Sequence, residues 1–397
     1  MTSGAITAPK GFRAAGVAAG IKPKGPDVAL LAADWGCAAA AVFTANRAPA
    51  APVIVSREHL ASGRARAVVV NSGCANAGTG EEGLADAREM AAFAARQIGC
   101  RPQEVVVAST GVIGTALPMD KIRDGIGRAA AALSRDGGAE AARAILTTDT
   151  YAKEVVVEFR LNGDTARIGA MAKGAGMIAP NMATLLALFT TDAAVDAHML
   201  RRALGQAVDE SLNRVTVDGD TSTNDMAVII ASGALPVKAI LEEGREFDAF
   251  RAALIEASRR VARLIVRDGE GATRMAEVRV EGARVESEAD RIARTVAESP
   301  LVKTALHGGD PNWGRVLAAV GRAGVEIDPG RIDIWLGDVW VAEAGHARAY
   351  DEAAARRAVL EDPVRIRIGL NAGRAAGWMW TCDFSRGYVD INARYRS

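Results

Sequence analysis

Apolar positions along the chain switch between the period of a strand and the period of a helix. Ala65–Val70 (ARAVVV) carries a buried-strand run over Ala67–Val70, and Asn71–Gly80 reads as the loop after it. Glu81–Ile98 has helical spacing, Glu104–Ala108 is a strand running into Ser109-Thr110-Gly111, and a helix follows around Ile122–Leu133. Val155–Arg160 and Thr165–Met171 pair as strands about the turn Leu161-Asn162-Gly163-Asp164. A glycine-rich bend, Lys173–Pro180, leads to the β-branched and apolar run Thr184–Thr190, a buried strand. His198–Leu212 and Phe247–Val266 are amphipathic helices. Met226–Ala231, Ala276–Val280, Arg331–Leu336 and Val364–Leu370 are strands, and Gly377–Cys382 and Gly387–Ala393 look like neighbouring strands at the end. Mixed order with hairpin-like strand pairs predicts a layered α+β fold rather than a doubly wound parallel sheet.

The chain has 397 residues, 49% of them hydrophobic, enough for a large core and two or three domains by length. Lys+Arg and Asp+Glu are both 48, and no block of one sign stands out, which argues against nucleic acid or a membrane surface as partner. Cys37, Cys74, Cys100 and Cys382 form no C-x-x-C pair and suggest reduced, buried thiols. Lys10, Arg13, Lys22 and Lys24 precede the first acid, Asp27, as in a transit peptide. Against that, the stretch is rich in Gly and Pro and lacks an apolar run of signal length. With no targeting signal and a domain starting near residue 5, the expected location is the cytoplasm.

The segment richest in chemistry is Lys173–Leu186 (KGAGMIAPNMATLL). Gly174 and Gly176 can adopt backbone angles other residues avoid, and Pro180 stiffens the approach to Thr184. A strained bend beside a hydroxyl suits an N→O acyl shift, in which the Thr184 hydroxyl attacks the Ala183 carbonyl. Hydrolysis of that ester leaves Thr184 as a new N-terminus. Its α-amine, with a reference pKa of about 7.7–8.0, then serves as general base for its own hydroxyl. None of the four histidines, His59, His198, His307 and His346, lies in a Ser/His/Asp-like neighbourhood. An ordinary loop or a phosphate cradle are the alternatives. No Gly-Lys-Ser/Thr follows the bend, and GAGMIA at Gly174–Ala179 runs into Pro180 and a strand, so a dinucleotide loop is disfavoured as well.

Lys173–Leu186 resembles the processing site of the ArgJ family, the ornithine acetyltransferases. Further segments resemble the same family, in order: Thr7–Ile21, Val42–Arg47, Asn71–Ala77, Ala108–Gly114, Thr147–Thr150, Leu212–Asp225, Arg267–Thr273, Ser299–Ala318 and Tyr388–Ser397. Together they cover the chain from residue 7 to its last residue.

The resemblance implies an αββα-type fold, close in style to N-terminal-nucleophile hydrolases but differently connected. It implies acetyl transfer from N-acetylornithine to glutamate through an acetyl-Thr184 ester, releasing ornithine. Cleavage between Ala183 and Thr184 gives fragments 1–183 and 184–397, which assemble as an α2β2 heterotetramer. Thr110 and Gly111 match the oxyanion pair. Thr150, Lys173, Thr184, Glu270, Asn392 and Ser397 match substrate-binding positions, with Lys173 expected to meet a carboxylate and Glu270 an ammonium. The family often ends in threonine where this chain has Ser397. Ala175 stands where a serine is common, which puts cleavage efficiency in question. No cofactor and no metal are implied, and whether acetyl-CoA also serves as donor is left open.

Other readings stay beside this one. An N-terminal-nucleophile amidase or aminopeptidase shares the chemistry up to the acyl-enzyme, and an uncleaved binding protein lacks it. Asp218, Asp220, Asp225 and Asp310 could suggest Mg²⁺, though turn bonding and helix capping explain them as well. Trp313 reads as core or interface, and Arg315 as a residue that could orient a partner.

Overall fold

The computed structural model describes residues 4–179 and 185–394. They fall into two compact units: Met1–Asn213 with Asp220–Ile265, and Arg214–Gly219 with Val266–Ser397. The mixed α+β class expected from the sequence is the one the chain adopts.

In the first unit the chain runs β1 (Phe12–Val17), β2 (Val28–Phe43), α1 (Ala51–His59), β3 (Arg64–Cys74), α2 (Gly80–Ile98), β4 (Val105–Val112), α3 (Met119–Ala131) and α4 (Gly138–Ala144). It continues with β5 (Lys153–Leu161), β6 (Asp164–Lys173), β7 (Leu186–Thr191), α5 (Ala197–Asp209), β8 (Met226–Ala231) and α6 (Arg245–Arg267). The sheet order is β4-β3-β2-β8-β7-β6-β5, with β1 on β2. Both faces of the sheet are covered. Val68, Val70, Val106 and Ala108 pack in one cluster with Ala141 and Ile145, while Ala67, Val69, Val105 and Val107 pack in another with Met90, Ala91, Ile122 and Ile126. Two-sided burial is why these strands read as continuous apolar runs. The β5–β6 hairpin closes through Asn162 and Gly163, both with positive φ (50° and 90°), the pairing a tight hairpin turn requires.

In the second unit β9 (Met275–Ala283) is followed by α7 (Glu286–Ala297), α8 (Pro300–Gly308) and α9 (Trp313–Gly321). Then come β10 (Asp333–Leu336), β11 (Val339–Glu343), β12 (His346–Ala347), α10 (Glu352–Ala358), β13 (Val364–Gly369), β14 (Ala375–Cys382) and α11 (Arg386–Ala393). The sheet order is β12-β11-β10-β13-β9-β14. Val278, Val280, Ile334, Ile366 and Ile368 share a core with Ile292, Val296, Val302 and Val320.

Three expectations need correction. Gly387–Ala393 lies in helix α11, not a strand: the Ser385 hydroxyl caps the Gly387 N–H at 3.0 Å, and the Tyr388 ring stacks on Phe384 with centroids 4.7 Å apart. Asn71–Cys74 extends β3 instead of opening a loop, because β4 pairs with it through Gly111 and Val112. Thr110 and Gly111, read as following the Glu104–Ala108 strand, are accordingly residues of β4 itself.

Candidate active site

Thr184, Ala183 and Ser397 lie outside the described residues. The neighbours that frame Thr184 in sequence are well placed. Strands β6 and β7 are antiparallel, with Lys173 paired to Leu186. The chain therefore leaves the sheet at Lys173 and re-enters it on the same rung, two residues after Thr184. In the bend between them Gly174 takes φ 158°, an angle that glycine allows, and Met177 stands left-handed at φ 56°. A side chain at such an angle carries strain that glycine escapes.

Lys173 is 9% exposed. Its Nζ lies 4.0 Å from Asp149 Oδ2, and the Gly174 N–H donates to Asp149 Oδ1 at 2.7 Å. Lys153 Nζ takes the closer ion pair with Asp149, 2.7 Å, with both side chains fully out of solvent. Burial would push the Asp149 carboxyl up. The Lys173 and Lys153 ammonium groups, with hydrogen bonds from Lys153 and the Gly174 N–H, overcome burial and hold it well below the usual carboxylate range. Lys153 and Lys173 thus both face one buried carboxylate. Thr150 adjoins Asp149 in sequence and is exposed. Lys22 belongs to the same field. Burial lowers its pKa against the pull of Asp27 and Asp149, and its Nζ donates to the Leu146 carbonyl at 2.8 Å.

Thr110 and Gly111 lie at the end of β4, in parallel register with Ser72 and Gly73 of β3. Gly111 has φ 131°, and a Cβ there would overlap the Gly73 carbonyl and sit 2.7 Å from the Cys74 nitrogen. Only glycine allows this close approach of two backbones. Thr110 is 9% exposed, so its side chain is nearly buried but still reached by solvent. The strand end is fixed from below: Ser109 Oγ donates to Asn71 Oδ1 at 2.6 Å, and Asn71 Nδ2 to the Cys74 carbonyl at 2.9 Å.

In the second unit Glu270 and Asn392 meet. Asn392 Nδ2 donates to Glu270 Oε2 at 2.7 Å. Glu270 is 6% exposed, so the loop after α6 is no solvated turn at that position. Ser385 Oγ donates to the Gly271 carbonyl at 2.5 Å, which ties the start of α11 to the same loop. Asn392 is thus presented by a helix anchored at its N-cap.

Several site neighbours escaped the sequence reading: Asp149, Lys153, Lys22, Asn71 and Asn224. Asp149 and Lys153 share one stretch of sequence, and an acid and a lysine at i and i+4 were the available signal. Trp313 packs against the core of its unit, as expected. Arg315 bonds the Leu301 carbonyl at 2.9 Å, and Asn312 caps α9. Among the described residues no group of three or more His, Cys, Asp or Glu side chains gathers as a metal site. The four cysteines are unpaired, and burial pushes Cys37 to about 12 and Cys100 to about 11. No helix among the described residues is long and apolar enough to cross a membrane.

The ArgJ family model matches residues 13–397. The arginine biosynthesis bifunctional protein ArgJ of Symbiobacterium thermophilum is 52% identical over 398 residues, covering 100% of this chain and 99% of that protein. The protein of the same name from Caldanaerobacter subterraneus is 46% identical over 398 residues, covering 99% of each. The crystal structure of arginine biosynthesis bifunctional protein argJ from Bacillus halodurans aligns with TM-score 0.51 at 42% identity, over 53% of this chain and 99% of that one. With matches that run the length of the sequence, the chain belongs to the ArgJ family.

Proposed function

We propose that Thr184 is the acyl-carrying residue of this enzyme, freed by cleavage after Ala183. The protein is an acetyltransferase of arginine biosynthesis. The Thr184 α-amine takes the proton of its hydroxyl as Oγ attacks the acetyl carbonyl of N-acetylornithine. Thr110 and Gly111 hold the oxyanion. When the tetrahedral centre collapses, the C–N bond breaks, the proton passes to the departing amine, and ornithine leaves with the acetyl group esterified to Thr184. The glutamate amine then attacks the ester, giving N-acetylglutamate and restoring the threonine. Lys173 receives a substrate carboxylate and Glu270 the terminal ammonium of ornithine, with Thr150, Asn392 and Ser397 completing the site.

The observation that carries this reading is the Lys173–Leu186 rung. It sets a nearly buried lysine opposite the residue two positions past Thr184. Fragments 1–183 and 184–397 assemble as α2β2, and the enzyme works in the cytoplasm without a cofactor. The relatives are named bifunctional, and the second activity we assign is acetylation of glutamate from acetyl-CoA.

Intact mass of the active protein tests the cut, and trapping during turnover tests the ester. A second fragment beginning at Thr184 and a 42 Da acetyl adduct on it, roughly the mass of ketene added to a nucleophile, are expected. Thr184→Ala is expected to stay one chain and lose transfer. Acetylornithine with and without glutamate separates transfer from hydrolysis, since an amidase releases acetate at the same rate in both.

A further inference from the structure

The Leu212–Asp225 motif contains a loop, Thr221–Asp225, whose one acid, Asp225, the sequence could assign only to turn bonding, capping or a cation. Its contacts suggest a different purpose. Upstream of the proposed cut, Thr221 forms an antiparallel bridge with Ile178, and its hydroxyl donates to the Ala179 carbonyl at 2.8 Å. Downstream, the Asp225 carboxyl accepts from the Leu185 N–H, and the Met226 N–H donates to the Leu185 carbonyl at 3.0 Å. One short loop therefore holds the chain on both sides of residues 180–184.

The same loop reaches the oxyanion strand. Asn224 Nδ2 donates to the Ser109 carbonyl at 2.9 Å and to the Ala75 carbonyl at 2.5 Å. Ser109 immediately precedes Thr110. The loop itself is pinned by Thr44–Ala50. Thr44 bonds the carbonyls of Ser222 (2.7 Å, through Oγ1) and Asp225 (3.0 Å, through N–H), Asn46 Nδ2 that of Thr221 (2.9 Å), and the Ala50 N–H that of Thr223 (2.9 Å). Such a network has little freedom to move, so it can transmit geometry rather than merely fill space.

We propose that the Thr221–Asp225 loop is a positioning element for the reactive threonine: Thr221 and Asp225 grip the chain on either side of the cut, and Asn224 ties that grip to the Thr110–Gly111 strand end. This rests on Thr184 as cut point and nucleophile. Burial favours the neutral form of Asp225. It is 3% exposed, and its Oδ2 has no hydrogen-bond partner among the described residues. Burial pushes its carboxyl well above the usual range, against bonds from Ser222 and Leu185 and the nearby Lys173. A neutral acid accepts the Leu185 N–H without setting a negative charge against the charge that develops on the oxyanion.

Freshly made Thr221→Val, Asn224→Ala, Asp225→Ala and Asp225→Asn proteins, beside the parent, are followed by denaturing gel and intact mass, with melting temperature as a check on folding. Thr221→Val and Asp225→Ala are expected to slow the cut about tenfold or more, the scale of a lost buried hydrogen bond in a positioned reaction. Asp225→Asn recovers the rate to within about threefold, because an amide keeps the acceptor and stays neutral. In protein that has been cleaved, Asn224→Ala lowers the rate of acetyl-enzyme formation about tenfold with KM little changed. Parental cutting by both Thr221→Val and Asp225→Ala overturns the proposal. So does an Asp225→Asn protein as slow as Asp225→Ala, which would make Asp225 a proton carrier. If Asp225→Ala does not fold, Thr221→Val alone decides. A parental second fragment that starts elsewhere than Thr184 removes the underlying reading. One that starts there, with unaffected variants, removes only this inference.

Discussion

Asn392 and Glu270 lie 122 positions apart in sequence, yet the amide donates to the carboxylate at 2.7 Å. The bond fixes the direction of the Glu270 side chain, which the proposed function sets against the ornithine ammonium. Glu270→Gln keeps the shape and removes the charge. It is expected to raise the KM for N-acetylornithine about tenfold or more, the scale of a charge-assisted hydrogen bond. Acetylation of the threonine by a donor lacking the ammonium should change far less. Steady-state kinetics with the two donors checks this, and an equal loss for both removes the assignment.

Asp149 gives the first unit an acid-sensitive anchor. Its carboxyl is held below its unfolded value, so the stabilisation it provides is complete above about pH 5 and is lost as pH falls through about 4 and below. Asp149→Asn breaks the buried Lys153–Asp149 ion pair and should cost about 3–5 kcal/mol at neutral pH. Urea unfolding at pH 7 and pH 3 reads both effects: the parent loses stability between the two, and the variant loses less. Parallel losses would show that the pair does not set the acid limb.

Gly111→Ala tests the backbone contact between β3 and β4. The added methyl would overlap the Gly73 carbonyl, at a φ that L residues rarely adopt. The strands must separate, at a cost of about 3 kcal/mol or more, and the proposed oxyanion donors, Thr110 and Gly111, move with them. Reduced thermal stability together with slowed chain cleavage is expected. A variant that melts and cleaves like the parent would mean that this approach is not needed.

Much of the fold was legible because these strands are buried on both faces and their helices on one. The β5–β6 hairpin was readable from Asn162-Gly163, whose positive φ angles few other pairs tolerate. The last helix was missed because α11 has no buried residue and leaves Val389 exposed, so its apolar spacing does not report a core. At the site, Lys173 and Glu270 were legible only through family motifs. The frame around them was not: Asp149 also accepts from the Gly174 amide, and Asn224 donates to the Ser109 and Ala75 carbonyls, main-chain groups that leave no mark on residue type. Asp225 shows the same limit from the other side. Its residue type suggested a cation ligand or a cap, whereas it is buried and accepts the Leu185 N–H.

The strand order β2-β8-β7-β6 places β7 and β8, which follow residue 184, between strands that precede it. Severing the 183–184 link leaves two polypeptides sharing one continuous hydrogen-bonded sheet, neither of which can withdraw without tearing ladders on both flanks. With the proposed cut at that link, the order of events in biosynthesis follows: the single chain must weave itself first, and scission comes only after the weave exists to outlast it.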